Sequence, residues 1–152
     1  MRGGGYETEA DLRAEGEIVA LLEERWKCGA QKLRVSYKID YALCRVIEGV
    51  THQTSERVFA FCEIKTRTDS WENLDRIGGY LLSLEKWAAA EEFYRIGRVP
   101  FVLVVRAEGD VRYLKTEQFD HDGLVWQGRK DRNDKDDFEP HVLLDVKRFR
   151  GL

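Results

Sequence analysis

Residues 57–67, RVFAFCEIKTR, constrain this chain most, because the run reads as an apolar strand that carries an acid and a base at its far end. Side chains alternate faces along a strand, so Phe59, Phe61, Glu63 and Lys65 are expected on one side. Val58, Ala60, Cys62 and Ile64 then take the other. An ionisable group on an apolar strand is costly to bury unless it is paired, hydrogen-bonded or bound to a metal. A second β-rich run, IDYALCRVI at 39–47, precedes the first and carries Asp40 near its start. If the two strands are neighbours in register, Asp40 and Glu63 converge on one point.

The surrounding pattern alternates between helical and strand periods. Residues 11–26 place Leu12, Val19, Leu22 and Trp26 near helical spacing, with Gly29 close enough to stop the helix. A short strand is expected at 32–37, before the Asp40 strand. Residues 71–94 read as one long helix with the stripe Leu74, Ile77, Leu81, Leu84 and Ala88. The run 99–106 reads as a buried strand, 108–110 as a turn and 111–115 as a hairpin partner. The charged stretch 126–140 reads as a loop, and 141–146 as a last short strand. The order αβββαββ is that of an α/β protein. At 152 residues one domain is expected, with a core over about 11–116 and a loop and strand over 117–152.

Composition removes several classes of function. With 43% hydrophobic and 35% charged residues the chain builds a folded, water-facing protein rather than a disordered one. No window approaches eighteen uninterrupted apolar residues and the first residues lack a signal-peptide core, so no membrane association and a cytoplasmic location are expected. The 3 cysteines, Cys28, Cys44 and Cys62, show no C-x-x-C spacing and are expected to be reduced, partly buried thiols. His52, His121 and His141 form no metal-binding spacing. A formal charge of −3 means that any phosphate contact must be local.

Two carboxylates facing one point suit Mg²⁺ or Mn²⁺ among hard cations, which take oxygen ligands and keep several waters. The Ile64 carbonyl is a candidate further ligand. Such an ion polarises a phosphodiester and lowers the pKa of a bound water. Lys65 beside it has two open roles. Partial desolvation near a cation lowers an ammonium's pKa toward that of a base, and an ammonium also stabilises a pentacovalent anion. A bare Glu-x-Lys arises by chance on the order of once in a chain this long. The competing reading is an Asp at a strand start and a surface Glu-Lys pair.

The order of elements favours the first reading: over about residues 17–115 the sequence resembles the PD-(D/E)XK nuclease superfamily. The resemblance implies an αβββαβ restriction-endonuclease-like core, a mixed central sheet flanked by helices. It also implies the Asp and the (D/E)-x-K on neighbouring strands, matched here by Asp40 and by Glu63-Ile64-Lys65. The family's usual proline before the Asp is Ile39 in this chain. Many members carry a first-helix Glu that helps hold metal or water, and GEIVALL puts Glu17 at that place, with Glu15 and Glu24 as rivals. The segment after the E-x-K strand and the late GRKDRNDKDDFEPHVLLD are similar to small phage and prophage members.

The reading is therefore a Mg²⁺- or Mn²⁺-dependent DNA endonuclease, structure-specific or non-specific, in the cytoplasm of a host cell. Asp40, Glu63 and the Ile64 carbonyl hold metal, Lys65 assists chemistry and Glu17 is a fourth member. Lys38, Arg67, Arg129, Lys130 and Arg132 are candidate DNA contacts, and Lys32, Arg34, Arg76 and Lys86 are further cations. A homodimer is held open, because symmetric cuts at a junction need two sites. The alternatives are a non-cleaving nucleic-acid- or protein-binding module on the same fold, and a phage inhibitor of a host enzyme.

Overall fold

The computed structural model describes residues 8–45, 57–128 and 138–152. Its elements in chain order are α1 (Glu9–Trp26), β1 (Cys28–Lys32), β2 (Tyr41–Arg45), β3 (Val58–Arg67), α2 (Trp71–Arg76), β4 (Tyr80–Ser83), α3 (Leu84–Gly97), β5 (Phe101–Ala107), β6 (Asp110–Thr116), β7 (Gly123–Gln127), β8 (Glu139–Leu144) and β9 (Arg150–Gly151). Six strands form a mixed sheet in the order β1-β2-β3-β5-β6-β9, with β4-β8-β7 as a second sheet. Only β3 and β5 run parallel in the large sheet, and they lie at its centre. This is the mixed, helix-flanked α/β architecture that the sequence implies.

The first helix starts with a reciprocal cap. Thr8 Oγ1 accepts from the Asp11 amide at 3.1 Å, and Asp11 Oδ2 accepts from the Thr8 amide at 3.0 Å. The helix ends at Trp26, as its spacing predicts, but its cap is Lys27 rather than Gly29, in the left-handed conformation at φ 50°. It buries Ile18 and Leu22 against the sheet, whereas Leu12 is exposed.

The first strand is earlier than expected. Residues 28–32 pair with β2, while Val35–Tyr37 form a 3-10 turn that reverses the chain. Lys38 closes that turn at φ 63°, and the Leu33 amide donates to the Asp40 carbonyl at 2.8 Å. Val35 therefore stands in solvent, and apolar content misled the strand assignment. Asp40 itself lies just before β2 rather than inside it.

The sequence also assigned Phe59 to the face of Phe61 and Glu63. A bulge where Leu43 pairs Ala60 and Cys44 pairs Val58 leaves Phe59 as the extra residue, and it packs with the α1-side cluster. Beyond the bulge the alternation holds: Cys62 and Ile64 face α1, and Phe61 faces the other layer.

The expected helix 71–94 is two helices with a strand between them. Gly78 and Gly79 take φ values of 108° and 139°, which ordinary side chains rarely adopt. A Cβ on Gly79 would sit 2.5 Å from the Leu144 carbonyl oxygen. The chain then buries Tyr80 and Leu82 by pairing β4 with β8. Burying each such side chain contributes roughly 1.5–3 kcal/mol, more than the few tenths per residue by which helix propensities differ. Ile77, on the supposed stripe, is exposed.

Both sheets share a core. Tyr80, Leu82, Val142 and Leu144 pack in one cluster with Phe101, Leu103, Val105 and Trp87. Val102 and Val104 point the other way, toward Ile18 and Leu22. β5 is therefore buried on both faces, which explains its unbroken apolar run. The expected late loop gives up its ends to strands. Trp126 pairs with Pro140 and Gln127 with Glu139. Residues 129–137 lie outside the described residues.

Candidate active site

The hairpin register places the acids. Tyr41 pairs with Cys62, so the next residues outward, Asp40 and Glu63, face each other where β2 begins and β3 nears its end. The Asp40 amide donates to Glu63 Oε2 at 3.3 Å. Glu63 is fully buried, with Cys62 and Ile64 beside it on β3 and Leu103 opposite it on β5. Two residues on, Lys65 returns to the same face and sets its Nζ 2.8 Å from Glu63 Oε1.

A second ammonium completes the cluster. Lys86, in the first turn of α3, places Nζ 3.1 Å from Asp40 Oδ1 and 3.1 Å from Glu63 Oε1. Neither lysine approaches Glu63 Oε1 at a hydrogen-bonding angle, so this buried oxygen is ion-paired but otherwise unpartnered. In the sequence Lys86 is one cation on a single long helix; the break at Gly78 and Gly79 puts it in the first turn of α3, against the acids.

Burial pushes the Glu63 carboxyl up and the Asp40 charge adds to this, while Lys65 and Lys86 only partly offset it. For Lys65, burial pulls downward most strongly, but Glu63 and Asp40 together outweigh it and the ammonium is held above its ordinary value. In the metal-free protein the carboxylates dominate the local field of Lys65, whereas the lowering toward a base is expected beside a bound divalent cation.

Other predicted members lie elsewhere. Glu17 Oε2 is 2.9 Å from Arg106 Nη1, and its side chain is 59% exposed. Arg106 shares the α1-covered face with Val102 and Val104, opposite Glu63, so Glu17 does not join the acids. Its rival Glu15 is occupied by Lys32 and the Tyr41 hydroxyl on that same side. Glu24 is exposed on α1. Ile64 buries its side chain toward α1, leaving only its carbonyl as a donor.

Of the candidate DNA contacts, Lys38 pairs with Glu85 at 2.9 Å, next in sequence to Lys86. Arg67 donates to the Leu81 carbonyl at 3.4 Å and stacks over the Tyr80 ring at 5.1 Å. It lines a cavity of about 330 Å³ with Asp69, Leu74, Gln127 and His141. Arg129, Lys130 and Arg132 lie outside the described residues. Trp71 and Trp87 are core residues, and Trp126 is 68% exposed.

Among the described residues no three of His, Cys, Asp and Glu cluster as a metal cage. Two carboxylates fit a hard divalent cation that keeps most of its water, and Glu63 Oε1 is a buried oxygen still lacking an aligned partner. No described helix is long and apolar enough to cross a membrane. Compared with models of known families, residues 1–152 match the one described as "Phage putative PDDEXK endonuclease". No curated protein matches the chain.

Proposed function

Because the chain belongs to this phage PD-(D/E)XK endonuclease family, we propose that it hydrolyses DNA phosphodiester bonds at Asp40, Glu63 and Lys65, with Mg²⁺ or Mn²⁺ held by the two carboxylates. The observation that carries the reading is the convergence of Asp40 and Glu63 on one ammonium nitrogen, 3.1 Å from each. A point that accommodates one cation between two acids is the arrangement that hard-metal binding needs.

When bound there, the ion supplies Lewis-acid activation of the phosphate and of a water. Asp40 and Glu63 would ligate through side-chain oxygens, with the Ile64 carbonyl as a further candidate. The burial of Glu63 takes its carboxylate out of bulk water, which strengthens the charge interactions it makes. Lys65, charged and 38% exposed, faces the side from which a phosphate arrives. Its ammonium, held charged by Glu63 and Asp40 in the metal-free protein, is placed to stabilise negative charge growing on the phosphoryl oxygens.

Lys38 and Arg67 flank this point and contact the DNA backbone, joined by Arg129, Lys130 and Arg132 of the late segment. The whole chain acts as one domain in the host cytoplasm. An area this small favours structure-specific or non-specific cutting over readout of a long site. A homodimer supplies the second site where the substrate is a junction.

The test is incubation of supercoiled plasmid, single-stranded DNA and a branched DNA with Mg²⁺, Mn²⁺ or EDTA. Cutting of at least one form with metal, and none in EDTA, is expected. Failure to cut any form with either metal would leave the non-cleaving binding module as the better reading.

A further inference from the structure

Lys86 belongs to no motif, yet among the described residues its nitrogen is the one cation ion-paired with both carboxylates. Lys65 touches only Glu63. Nothing else described neutralises the pair. Leaving Asp40 and Glu63 with Lys65 alone would set two carboxylates side by side, one of them fully buried, against a single charge.

We propose that Lys86 is a resident counter-cation, which occupies the point between Asp40 and Glu63 in the metal-free protein and must withdraw when a divalent ion enters. The proposal rests on the reading that these carboxylates hold metal. A Mg²⁺–oxygen contact is about 2.1 Å. An ion at that distance from Asp40 Oδ1 and Glu63 Oε1 would share the space of an ammonium 3.1 Å from both. Two cations so close repel, so occupancy is exclusive.

The surroundings allow the exchange. The Lys86 side chain is 25% exposed and its stem is long and unbranched, so the ammonium can turn to solvent while α3 stays in place. The neighbouring Lys38–Glu85 pair, 2.9 Å, ties the same turn of α3 to the segment before β2 independently of Lys86. A purely structural clamp would also use Lys86 to fasten α3, and the two roles differ in what removal does to metal affinity.

The experiment measures Mn²⁺ binding by calorimetry on the full chain without DNA, for wild type, Lys86→Met, Lys86→Gln, Lys86→Arg and Glu63→Gln. Met and Gln both keep the length of the stem and remove its charge, so that either one serves if the other folds poorly. Circular dichroism checks the fold. The proposal expects Lys86→Met and Lys86→Gln to bind Mn²⁺ about tenfold more tightly or better, and Lys86→Arg to stay near wild type. Unchanged or weaker binding in the neutral variants, with wild-type binding lost in Glu63→Gln, overturns the lysine's role and leaves the metal site standing. Absence of Mn²⁺ binding in wild type and in every Lys86 variant overturns both.

Discussion

The Asp40 amide donates to Glu63 Oε2 at 3.3 Å across the β2–β3 hairpin, so the backbone of one acid orients the side chain of the other. That bond ties the site to strand register. Because the pairing of Tyr41 with Cys62 fixes it, a slip of one residue would send Glu63 toward α1.

Glu63 makes metal-free stability depend on pH. Its folded-state pKa is raised above the ordinary 4.5, chiefly by burial. Below 4.5 the carboxyl is protonated folded or unfolded and contributes no pH dependence. As pH rises from there through the raised value, the folded state retains a proton that the unfolded state has lost, so stability falls across that window. Glu63→Gln removes this component. Urea unfolding in EDTA from pH 4 to 8 should show the variant gaining on wild type as pH rises. Parallel curves would contradict the raised pKa.

Gly79 is required by both its backbone and its neighbour. At φ 139°, with a Cβ 2.5 Å from the Leu144 carbonyl oxygen, Gly79→Ala should cost about 2–4 kcal/mol by strain and by displacing β8. Gly78 has positive φ but open space around it, so Gly78→Ala should cost about 1–2 kcal/mol. Equal losses by chemical denaturation would contradict the close approach to β8.

Cys28, Cys44 and Cys62 are all buried, and burial pushes the Cys62 and Cys28 thiols up. Since the thiolate is the nucleophile, Ellman's reagent should label the native protein slowly and all three positions at once in denaturant. Rapid stoichiometric labelling without denaturant would show that the α1-side layer opens.

Glu17 should be dispensable. The Glu17 side chain is 59% exposed and pairs with Arg106 on the far face of the sheet, so Glu17→Ala should cost about 1 kcal/mol. DNA cleavage should stay within about twofold of wild type. A loss approaching that of a metal ligand would show that α1 reaches the acids during turnover.

What the sequence made legible was the strand pair and its charges. Period-two alternation puts Glu63 and Lys65 on one face, and with the two strands as neighbours in register Asp40 joins them. What it hid was tertiary. The 71–94 stripe satisfies helical spacing, but two adjacent glycines and the burial of Tyr80 and Leu82 against β8 override it. Val35 looks like a strand residue and sits exposed on a turn. Lys86 is 23 residues from Glu63 in sequence, and only the fold of the α2–β4–α3 segment brings it between the acids. Phe59 was misplaced because a bulge leaves no signature in residue types.

The most direct test of the central claim is metal-dependent cleavage of supercoiled plasmid by wild type beside Glu63→Ala and Lys65→Ala, with Mg²⁺ or Mn²⁺ and an EDTA control. The account predicts cutting by wild type only with metal, and a fall of at least about 100-fold in each variant. Cutting that persists in EDTA, or variants that cut as well as wild type, would contradict it.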